Sequence, residues 1–375
     1  MNNNKEEKLN TCEPNRQVMQ EPNRINDIAE FDTEVMKVSK ESLDKAAKIL
    51  KEGNLVAFPT ETVYGLGADA LRAEASARIY AAKGRPSDNP LIVHIATCGQ
   101  LPELVREIPD TAKKLMDAFW PGPLTIIFNK SEIVPKGTTG GLDTVAIRMP
   151  NHPDALALIR SSGVAIAAPS ANTSGKPSPT TAMHVFHDLK GKIPLVLDGG
   201  NVGIGIESTI VDVTGEKPMI LRPGYITKEM LEEVIGEVEF DRALFAPPEE
   251  GLVPKAPGMK YRHYAPKADF TIYEGETAKV VAKINELASR FVSEGKKVGI
   301  IACDETMNQY TNGNVVSIGT RKDDLTISQN LYRVLRDFDE SDTDIILGES
   351  FTNERLGEAI MNRLTKAAGY QIQKV

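Results

Sequence analysis

The segment LVLDGGNVGIGIESTIVDVTGEKPMILR, residues 195–222, decides between the fold classes that this sequence allows. It holds three apolar strand candidates, LVL, STIVDV and MILR, with no helical pattern between them. Successive parallel strands need a long crossover, usually a helix, so strands that follow one another without a helix favour a mixed sheet. The glycines of GGNVGIGIE lack the spacing of a dinucleotide-binding turn and instead indicate a glycine-rich turn.

Towards the N-terminus, further apolar segments alternate irregularly with helical patterns. SKESLDKAAKILKEGN predicts an amphipathic helix that Ser39 caps and Gly53 ends. The other strand candidates are LVAF, LIVHI, LTIIF, TVAIRM and VAIAA, and helical patterns lie near residues 73–83, 109–119, 153–162, 180–189 and 227–235. We therefore predict an α/β fold in which residues 34–240 form a mixed twisted sheet with packed helices and a concave cleft.

Residues 269–375 have a different and more regular pattern. FTIY, a long helix to about 294, KVGIIA, VVSI, a helix from about 326, DIILG and a last helix from about 354 follow one another. This alternation predicts a smaller, Rossmann-like parallel α/β domain. Residues 241–268 are rich in Pro, Gly and charge and are interpreted as a linker, and the polar residues 1–33 as an N-terminal arm.

Composition narrows the class of protein. The chain has 375 residues, enough for roughly two domains, and it has no apolar run of the ~20 residues that a membrane span needs. Its first residues lack the apolar core of a secretory signal, so a cytoplasmic location without a membrane partner is expected. Cys12, Cys98 and Cys303 are too far apart in the sequence to suggest a disulfide framework or a metal cluster. The net charge of −8 argues against a protein that mainly coats nucleic acid, although it allows a local basic cleft.

Two patches place polar residues in or beside apolar strands of the first domain. In PTETVYGLG, residues 59–67, two glycines allow close backbone approach beside Thr60 and Thr62, and a β-turn with hydroxyl caps explains the pattern equally well. In DTVAIRMP, residues 143–150, Arg148 lies within an apolar strand. Burying this guanidinium requires an anion, either a structural carboxylate or a bound carboxylate or phosphate.

A third patch, KGRPSDNPLIVHI, spans residues 83–95. Lys83 ends a helical pattern, where the helix dipole alone favours a cation. Arg85 and Asn89 lie in a loop stiffened by two prolines, and such a pre-organised loop suits an anionic ligand. His94 lies inside the strand, where a histidine is more often a satisfied core residue than a ligand-binding one.

The fourth patch, APSANTSGKPSPT, residues 168–180, is a hydroxyl-rich loop after a strand. It fits either a solvated turn or a cradle for phosphate and ribose. The sequence has no P-loop, dinucleotide-binding fingerprint, nucleophile elbow or H-E-x-x-H motif, so any nucleotide chemistry needs a non-standard cradle. Lys83, Arg85, Arg148 and Arg222 are the candidate counter-charges.

The four patches, in this order, strongly resemble the threonylcarbamoyl-AMP synthase family. The resemblance spans about residues 36–240, and the tail ending in ERLGEAIMNRLTKAAG resembles the long, two-domain form. It implies synthesis of L-threonylcarbamoyladenylate and pyrophosphate from L-threonine, bicarbonate or CO2, and ATP. The product would feed the t6A modification of tRNA adenosine 37 through a separate tRNA threonylcarbamoyl transferase complex. Direct binding of tRNA by this chain is left open.

The resemblance also assigns roles to individual residues. The positions implied for L-threonine are Thr62, His94, Arg148, Ala168 and Ser208. Those implied for ATP are Arg85, Asn89, Thr144, Ser170, Ser178 and Arg222, and the catalytic set around the phosphates is Lys83, Arg85, Ser170 and Asn172. Mg2+ is expected to arrive with ATP, since no carboxylate cluster in the sequence offers ligands for a tightly bound metal.

The linker contains PGMKYRHYAP, residues 257–266, which is unusually rich in basic and aromatic residues. In the two-domain form we expect the linker to run back over the cleft, with Arg262, His263 and Tyr264 as a lid over the adenylate. A solvated basic linker is the alternative.

Two rival functions remain. The first is an RNA-binding or ribosome-associated module that uses the cationic cleft, and the net negative charge weighs against it. The second is a carbamoyl-transferring maturation factor, which would need zinc-finger and acylphosphatase-like segments that this sequence lacks.

Overall fold

The computed structural model describes residues 31–244, 254–257, 264–352 and 354–375. The predicted N-terminal arm lies outside this part except at its end, where Phe31 N–H donates to Gly191 O and Thr33 Oγ1 donates to Ile193 O. Arg262 and His263 of the predicted lid also lie outside the described residues.

Residues 31–244 form a sheet with helices packed against it. Its strands are Glu34–Lys37 (β1), Val56–Phe58 (β2), Gly65–Asp69 (β3), Ile92–His94 (β4), Leu124–Asn129 (β5), Thr144–Arg148 (β6), Ile166–Ala167 (β7), Leu195–Asp198 (β8), Thr209–Asp212 (β9), Met219–Arg222 (β10) and Glu239–Phe240 (β11). Its helices are Lys40–Lys51 (α1), Ala73–Lys83 (α2), Leu101–Leu104 (α3), Asp110–Phe119 (α4), Lys136–Thr139 (α5), Pro153–Ser162 (α6), Ala182–Leu189 (α7) and Lys228–Ile235 (α8).

The strand order is β1-β8-β2-β3-β7-β4-β6-β5-β9-β10-β11, and parallel and antiparallel pairs are both present. The predicted mixed sheet is therefore confirmed. The three apolar segments of residues 195–222 are β8, β9 and β10, but only β9 and β10 pair with each other. β8 lies between β1 and β2, so residues 199–208 carry the chain from one region of the sheet to another.

The local signals that predicted α1 are present in the structure. The Ser39 side chain accepts from Ser42 N–H, Ser42 Oγ accepts from Ser39 N–H in return, and Gly53 has a φ of 80° just beyond the helix. Buried apolar side chains cover both faces of the central strands. On β4, for example, Val93 belongs to the main core, whereas Ile92 packs on the opposite face with Ile127.

The second part forms a separate sheet of five strands in the order β14-β13-β15-β12-β16. Its elements are Asp269–Glu274 (β12), Thr277–Ser293 (α9), Val298–Ala302 (β13), Asn314–Ser317 (β14), Asp324–Glu340 (α10), Ile345–Glu349 (β15), Leu356–Ala367 (α11) and Ile372–Lys374 (β16). The pairs within this described sheet are all parallel, which confirms the predicted parallel α/β arrangement. β11 ends at Phe240 and β12 begins at Asp269, whereas the domain limits at 240 and 268 stay a prediction.

The two parts contact each other mainly through α10 and α11. Ser328 on α10 donates a hydrogen bond to Ile204 O at 2.7 Å, and Arg336 on α10 lies 3.0 Å from Asp188 on α7. Arg363 on α11 reaches Glu207 at 3.1 Å. The second sheet is thus joined to the first part by helices that lie against its loops.

None of the helices in the described ranges combines the length and apolarity needed to cross a lipid bilayer. The cytoplasmic location stays a prediction.

Candidate active site

A cleft of about 590 Å³, counting its open mouth, lies where several strand ends and loops of the first part meet. His94 at the end of β4 and Arg148 at the end of β6 are in register on two parallel strands, so both face the same edge. The lining residues are Thr60, Thr62, Val63, Gly65, Arg85, Ile92, His94, Arg148, Ala168, Pro169, Ser170, Glu207, Ser208, Arg222, Pro257 and Tyr264.

Arg148 is a buried cation of the cleft wall. Its Nη1 donates to Thr62 Oγ1 at 2.9 Å, and its Nη2 lies 2.7 Å from Glu61 Oε1. Burial by itself would raise the pKa of Glu61, but the adjacent Arg148 outweighs it and holds this pKa below its ordinary value. The anion that Arg148 required is therefore present as a structural carboxylate. Glu61 was missed in the sequence, although it stands between the two threonines of the first patch.

The first patch depends on glycine for its shape. A Cβ at Gly67 would lie 2.8 Å from Ile166 Cγ2 and 2.9 Å from Phe58 Cε1, closer than side-chain contacts allow. The bare backbone therefore lets β3 pass close to Phe58 and β7. Leu66 N–H then donates to Pro169 O at 2.8 Å, which places the residues after β7 against the cleft. Gly67 therefore permits the close approach of the β3 backbone to these side chains, and its role is not limited to forming a turn.

His94 is buried, and its Nδ1 lies 3.1 Å from Ile92 O. A carbonyl oxygen only accepts hydrogen bonds, so Nδ1 is the donor in this contact. Burial, together with the positive charge of Arg148, lowers the pKa of His94 to about 3. His94 thus presents an uncharged imidazole to the cleft at neutral pH.

Lys83 holds the hydroxyl-rich loop, residues 168–180, through hydrogen bonds to its backbone. Its Nζ donates to Ser170 O at 2.6 Å and also to Asn172 O, and it lies 3.4 Å from Asn172 Oδ1. Ser170 Oγ donates to the same Asn172 Oδ1 at 2.5 Å. Ser170 lines the cleft, whereas Lys83 and Asn172 are not among the lining residues. Burial and the nearby Arg85 keep the pKa of Lys83 well below its ordinary value. The catalytic roles of Lys83 and Asn172 stay predictions.

The predicted ATP residues divide into two groups. Arg85, Ser170 and Arg222 line the cleft, and Arg85 Nη2 donates to Pro90 O at 2.9 Å. Asn89 and Thr144 do not line it. Thr144 begins β6, at the end opposite Arg148, and Asn89 precedes the neighbouring β4. The buried Oδ1 of Asn89 has no hydrogen-bond partner among the described residues.

Ser208 and Arg222 lie together on the cleft wall. Arg222 Nε donates to Ser208 O at 3.0 Å and its Nη2 donates to Ser208 Oγ at 3.1 Å. Burial lowers the pKa of Arg222 to about 10, which leaves it charged at neutral pH. A buried, charged guanidinium beside a hydroxyl suits an anionic ligand.

Glu207, immediately before Ser208, is a cleft residue that sequence reasoning missed. Ser178 Oγ donates a hydrogen bond to Glu207 Oε1 at 2.6 Å. Ser178, which was predicted to bind ATP, does not line the cleft. Burial by itself would raise the pKa of Glu207, but Arg363, Arg222 and the Ser178 hydrogen bond lower it to about 2. An acid beside a serine in a glycine-rich turn was the available signal, but its main partner lies 156 residues away.

The linker reaches the cleft at two described points. Pro257 and Tyr264, on either side of residues 258–263, both line it. Tyr264 has a φ of 63°, is buried and stacks on Tyr332 of α10 with ring centroids 5.2 Å apart. Burial, with the nearby Glu207, raises the pKa of Tyr264 to about 12, so its hydroxyl stays protonated. Of the predicted lid residues, only Tyr264 can be placed, and the lid itself stays a prediction.

Within the described ranges, no group of three or more His, Cys, Asp or Glu residues is arranged to hold a metal ion.

Two family models match this chain. Residues 48–224 match the Sua5/YciO/YrdC model, described as telomere recombination, and residues 226–369 match the model of the threonylcarbamoyl-AMP synthase C-terminal domain. The threonylcarbamoyl-AMP synthase of Pyrococcus abyssi is 52% identical over 330 residues, which cover 88% of this chain and 95% of that protein. The Bacillus subtilis threonylcarbamoyl-AMP synthase is 50% identical over 341 residues, 91% of this chain and 96% of that one.

A solved structure agrees with these matches. The crystal structure of P. abyssi Sua5 complexed with L-threonine superposes with a TM-score of 0.86 at 49% identity, and the alignment covers 92% of this chain and 99% of that one.

Proposed function

Because this chain belongs to the threonylcarbamoyl-AMP synthase family, in its two-domain form, we propose that it makes L-threonylcarbamoyladenylate and pyrophosphate from L-threonine, bicarbonate or CO2, and ATP. The family resemblance carried by the four sequence patches is confirmed, and the chain is an enzyme of this family.

The observation that supports this reaction best is the meeting of the four patches on one cleft. Residues from all four patches line it, although they are spread over more than 100 positions of the sequence. The cleft combines two buried guanidinium groups, Arg148 and Arg222, with hydroxyl groups and one uncharged imidazole. This combination suits a ligand with a carboxylate at one end and phosphates at the other.

The proposed reaction needs two bond-forming steps. The threonine amine attacks the carbon of CO2 and loses a proton, which gives an N-carboxylate. An oxygen of this N-carboxylate then attacks the α-phosphorus of ATP, and pyrophosphate leaves with the electrons of the broken phosphorus–oxygen bond. Neither step requires a covalent bond to the protein, so catalysis would rest on positioning and on stabilisation of negative charge.

We assign the threonine carboxylate to Arg148. The guanidinium has five N–H donors, and Thr62, Glu61 and the Gly122 carbonyl occupy only part of this capacity. The pair with Glu61 would hold the planar group in one orientation, so little ordering is needed when threonine arrives. The uncharged His94 and the Ser208 hydroxyl offer polar contacts to the rest of the amino acid without adding a competing charge.

We assign the triphosphate to the side of the cleft where Arg85, Ser170 and Arg222 lie. Lys83 fixes Ser170 through its backbone carbonyl and would thereby act on the phosphates through the loop. Mg2+ would arrive with ATP and balance part of the phosphate charge. The product would be passed to a tRNA threonylcarbamoyl transferase complex for t6A modification.

The test is to incubate the full chain with ATP, Mg2+, bicarbonate and labelled L-threonine, and to follow pyrophosphate and labelled adenylate. We expect pyrophosphate release that depends on threonine, with a matching amount of labelled adenylate. Reactions that lack threonine or bicarbonate serve as controls. If folded protein releases no threonine-dependent pyrophosphate, the proposed function is wrong.

A further inference from the structure

Glu207 places a carboxylate on a cleft wall that should attract anions. It is buried, lines the cleft and directly precedes Ser208. Two residues of the second sheet's helices hold it: Tyr332 OH donates to its Oε2 at 2.8 Å, and Arg363 Nε donates to the same oxygen at 3.1 Å. The second part of the chain therefore contributes directly to the wall of the cleft.

Arg363 joins two loops that carry predicted binding residues. Besides the Glu207 carboxylate, its Nη1 donates to Pro223 O at 2.5 Å. Glu207 directly precedes Ser208, and Pro223 directly follows Arg222. The Arg363 guanidinium therefore holds a residue next to each member of the hydrogen-bonded pair Ser208 and Arg222. The loops are closely packed here, since a Cβ at Gly224 would lie 2.5 Å from Thr209 N and 2.8 Å from Glu207 O.

The charges around Glu207 leave an excess of positive charge. Arg222, Arg363 and Lys366 surround this one carboxylate, and all four groups are buried. Burial, followed by the nearby Arg363 and Arg222, lowers the pKa of Lys366 to about 7. Without Arg363, the positive charge of Arg222 and Lys366 would be spent on balancing Glu207, so less of it would act on a bound phosphate.

We propose that Arg363 is a positioning residue of the synthase: it neutralises Glu207 and fixes the loops that carry Ser208 and Arg222, so that the second domain completes the anion-binding side of the cleft. This role rests on the proposed function, because ATP is the anion in question. Arg363 itself does not line the cleft, and it acts through Glu207 and the Pro223 carbonyl.

The experiment compares Arg363→Met with the wild-type full chain by steady-state pyrophosphate release. A tenfold change in affinity corresponds to ~1.4 kcal/mol, and the loss of one positive charge near a phosphate in a partly buried site can be of this size. We therefore expect the KM for ATP to rise at least about tenfold. The KM for L-threonine should rise by a smaller factor, because a zwitterion has no net charge for Glu207 to repel and Ser208 is only one of the contacts proposed for the amino acid.

Rescue separates charge neutralisation from loss of structure. In the double variant Glu207→Gln/Arg363→Met both charges of the pair are gone, and Arg222 no longer has to balance Glu207, so the KM for ATP should return most of the way to the wild-type value. If Arg363→Met does not fold, Arg363→Gln replaces it, since glutamine keeps a donor for Pro223 O and removes the charge. The matched interface control is Gln329→Ala, which removes an exposed hydrogen bond from α10 to Gly203 O, outside the cleft lining, and should leave both KM values unchanged.

Equal increases in both KM values, or no recovery in the double variant, would overturn the role of Arg363. Calorimetric binding of ATP, which needs no turnover, keeps this result separate from a failure of the proposed reaction. If wild-type protein lacks threonine-dependent pyrophosphate release but Arg363→Met still weakens ATP binding, only the reaction is refuted. If ATP binding is equal in wild type and Arg363→Met, the inference about Arg363 is refuted.

Discussion

Arg148→Ala should raise the KM for L-threonine far more than the KM for ATP. The guanidinium lines the cleft and is held at 2.9 Å by Thr62 and 2.7 Å by Glu61, so it can meet a carboxylate without rearrangement. Hydrogen bonds to charged groups contribute about 1.5–3 kcal/mol. At ~1.4 kcal/mol per tenfold, their loss corresponds to a threonine KM about 10- to 150-fold higher.

The same substitution also disturbs the fold, and this effect has to be separated. Removing Arg148 leaves Glu61 buried without its cation, and breaking a buried ion pair in this way costs about 3–5 kcal/mol of stability. The double variant Glu61→Gln/Arg148→Met removes both charges and should recover much of this stability. It should still bind threonine weakly, because the guanidinium is absent.

The assay is pyrophosphate release against threonine concentration at saturating ATP, and then against ATP at saturating threonine. Thermal unfolding of each variant is measured alongside. The assignment of Arg148 to threonine is refuted if both KM values rise by the same factor. It is also refuted if the double variant binds threonine as the wild type does.

Three further predictions concern the scaffold, pH and the linker. Gly67→Ala places a methyl group 2.8 Å from Ile166 and 2.9 Å from Phe58, so thermal unfolding should show a loss of about 1–3 kcal/mol, and wild-type stability would contradict the close approach. The pKa of Glu207 is depressed from 4.5 to about 2, so its ionised form stabilises the fold fully above about pH 4.5, and this stabilisation is lost as the pH falls towards 2. Glu207→Gln should therefore remove roughly 3 kcal/mol at neutral pH and flatten the dependence of denaturant unfolding over that acid range; an unchanged pH dependence would argue against the shift. Tyr264→Ala with an intact fold should lower the yield of adenylate or shorten its lifetime in solution, because a lid excludes water. Unchanged turnover and an unchanged adenylate lifetime would indicate that the linker is only a spacer.

Local sequence patterns predicted most of the regular elements. Ser39 and Gly53 mark the ends of α1 through hydrogen bonds and backbone geometry that need only neighbouring residues. β16 was not predicted, because Ile372–Lys374 is exposed and largely polar, and its place is set by backbone pairing to β12. Strands of this kind depend on a partner that is distant in sequence and leave little local pattern.

For the candidate site, too, the sequence predicted what depends on neighbouring residues and missed what depends on contacts between residues distant in the sequence. The cleft positions of Arg85, His94 and Arg148 agree with a site built at loops and strand ends, which the sequence had indicated. The partners of these residues were not predictable, since Glu61 meets Arg148 and Glu207 meets Arg363 only after folding. Side-chain type gives the charge of a residue, whereas the fold decides which opposite charge it meets.

The path of residues 199–208 between β8 and β9 has a consequence for synthesis on the ribosome. β8 pairs with β1 and β2, and β9 pairs with β5. β2 and β5 are therefore each synthesised well before one of the strands with which they pair. Until residue 212 has left the exit tunnel, the nascent chain exposes two open strand edges, and such edges promote aggregation. Formation of the first sheet should therefore be a late, cooperative event, and chains stalled before β8 should be sensitive to protease and bind chaperones.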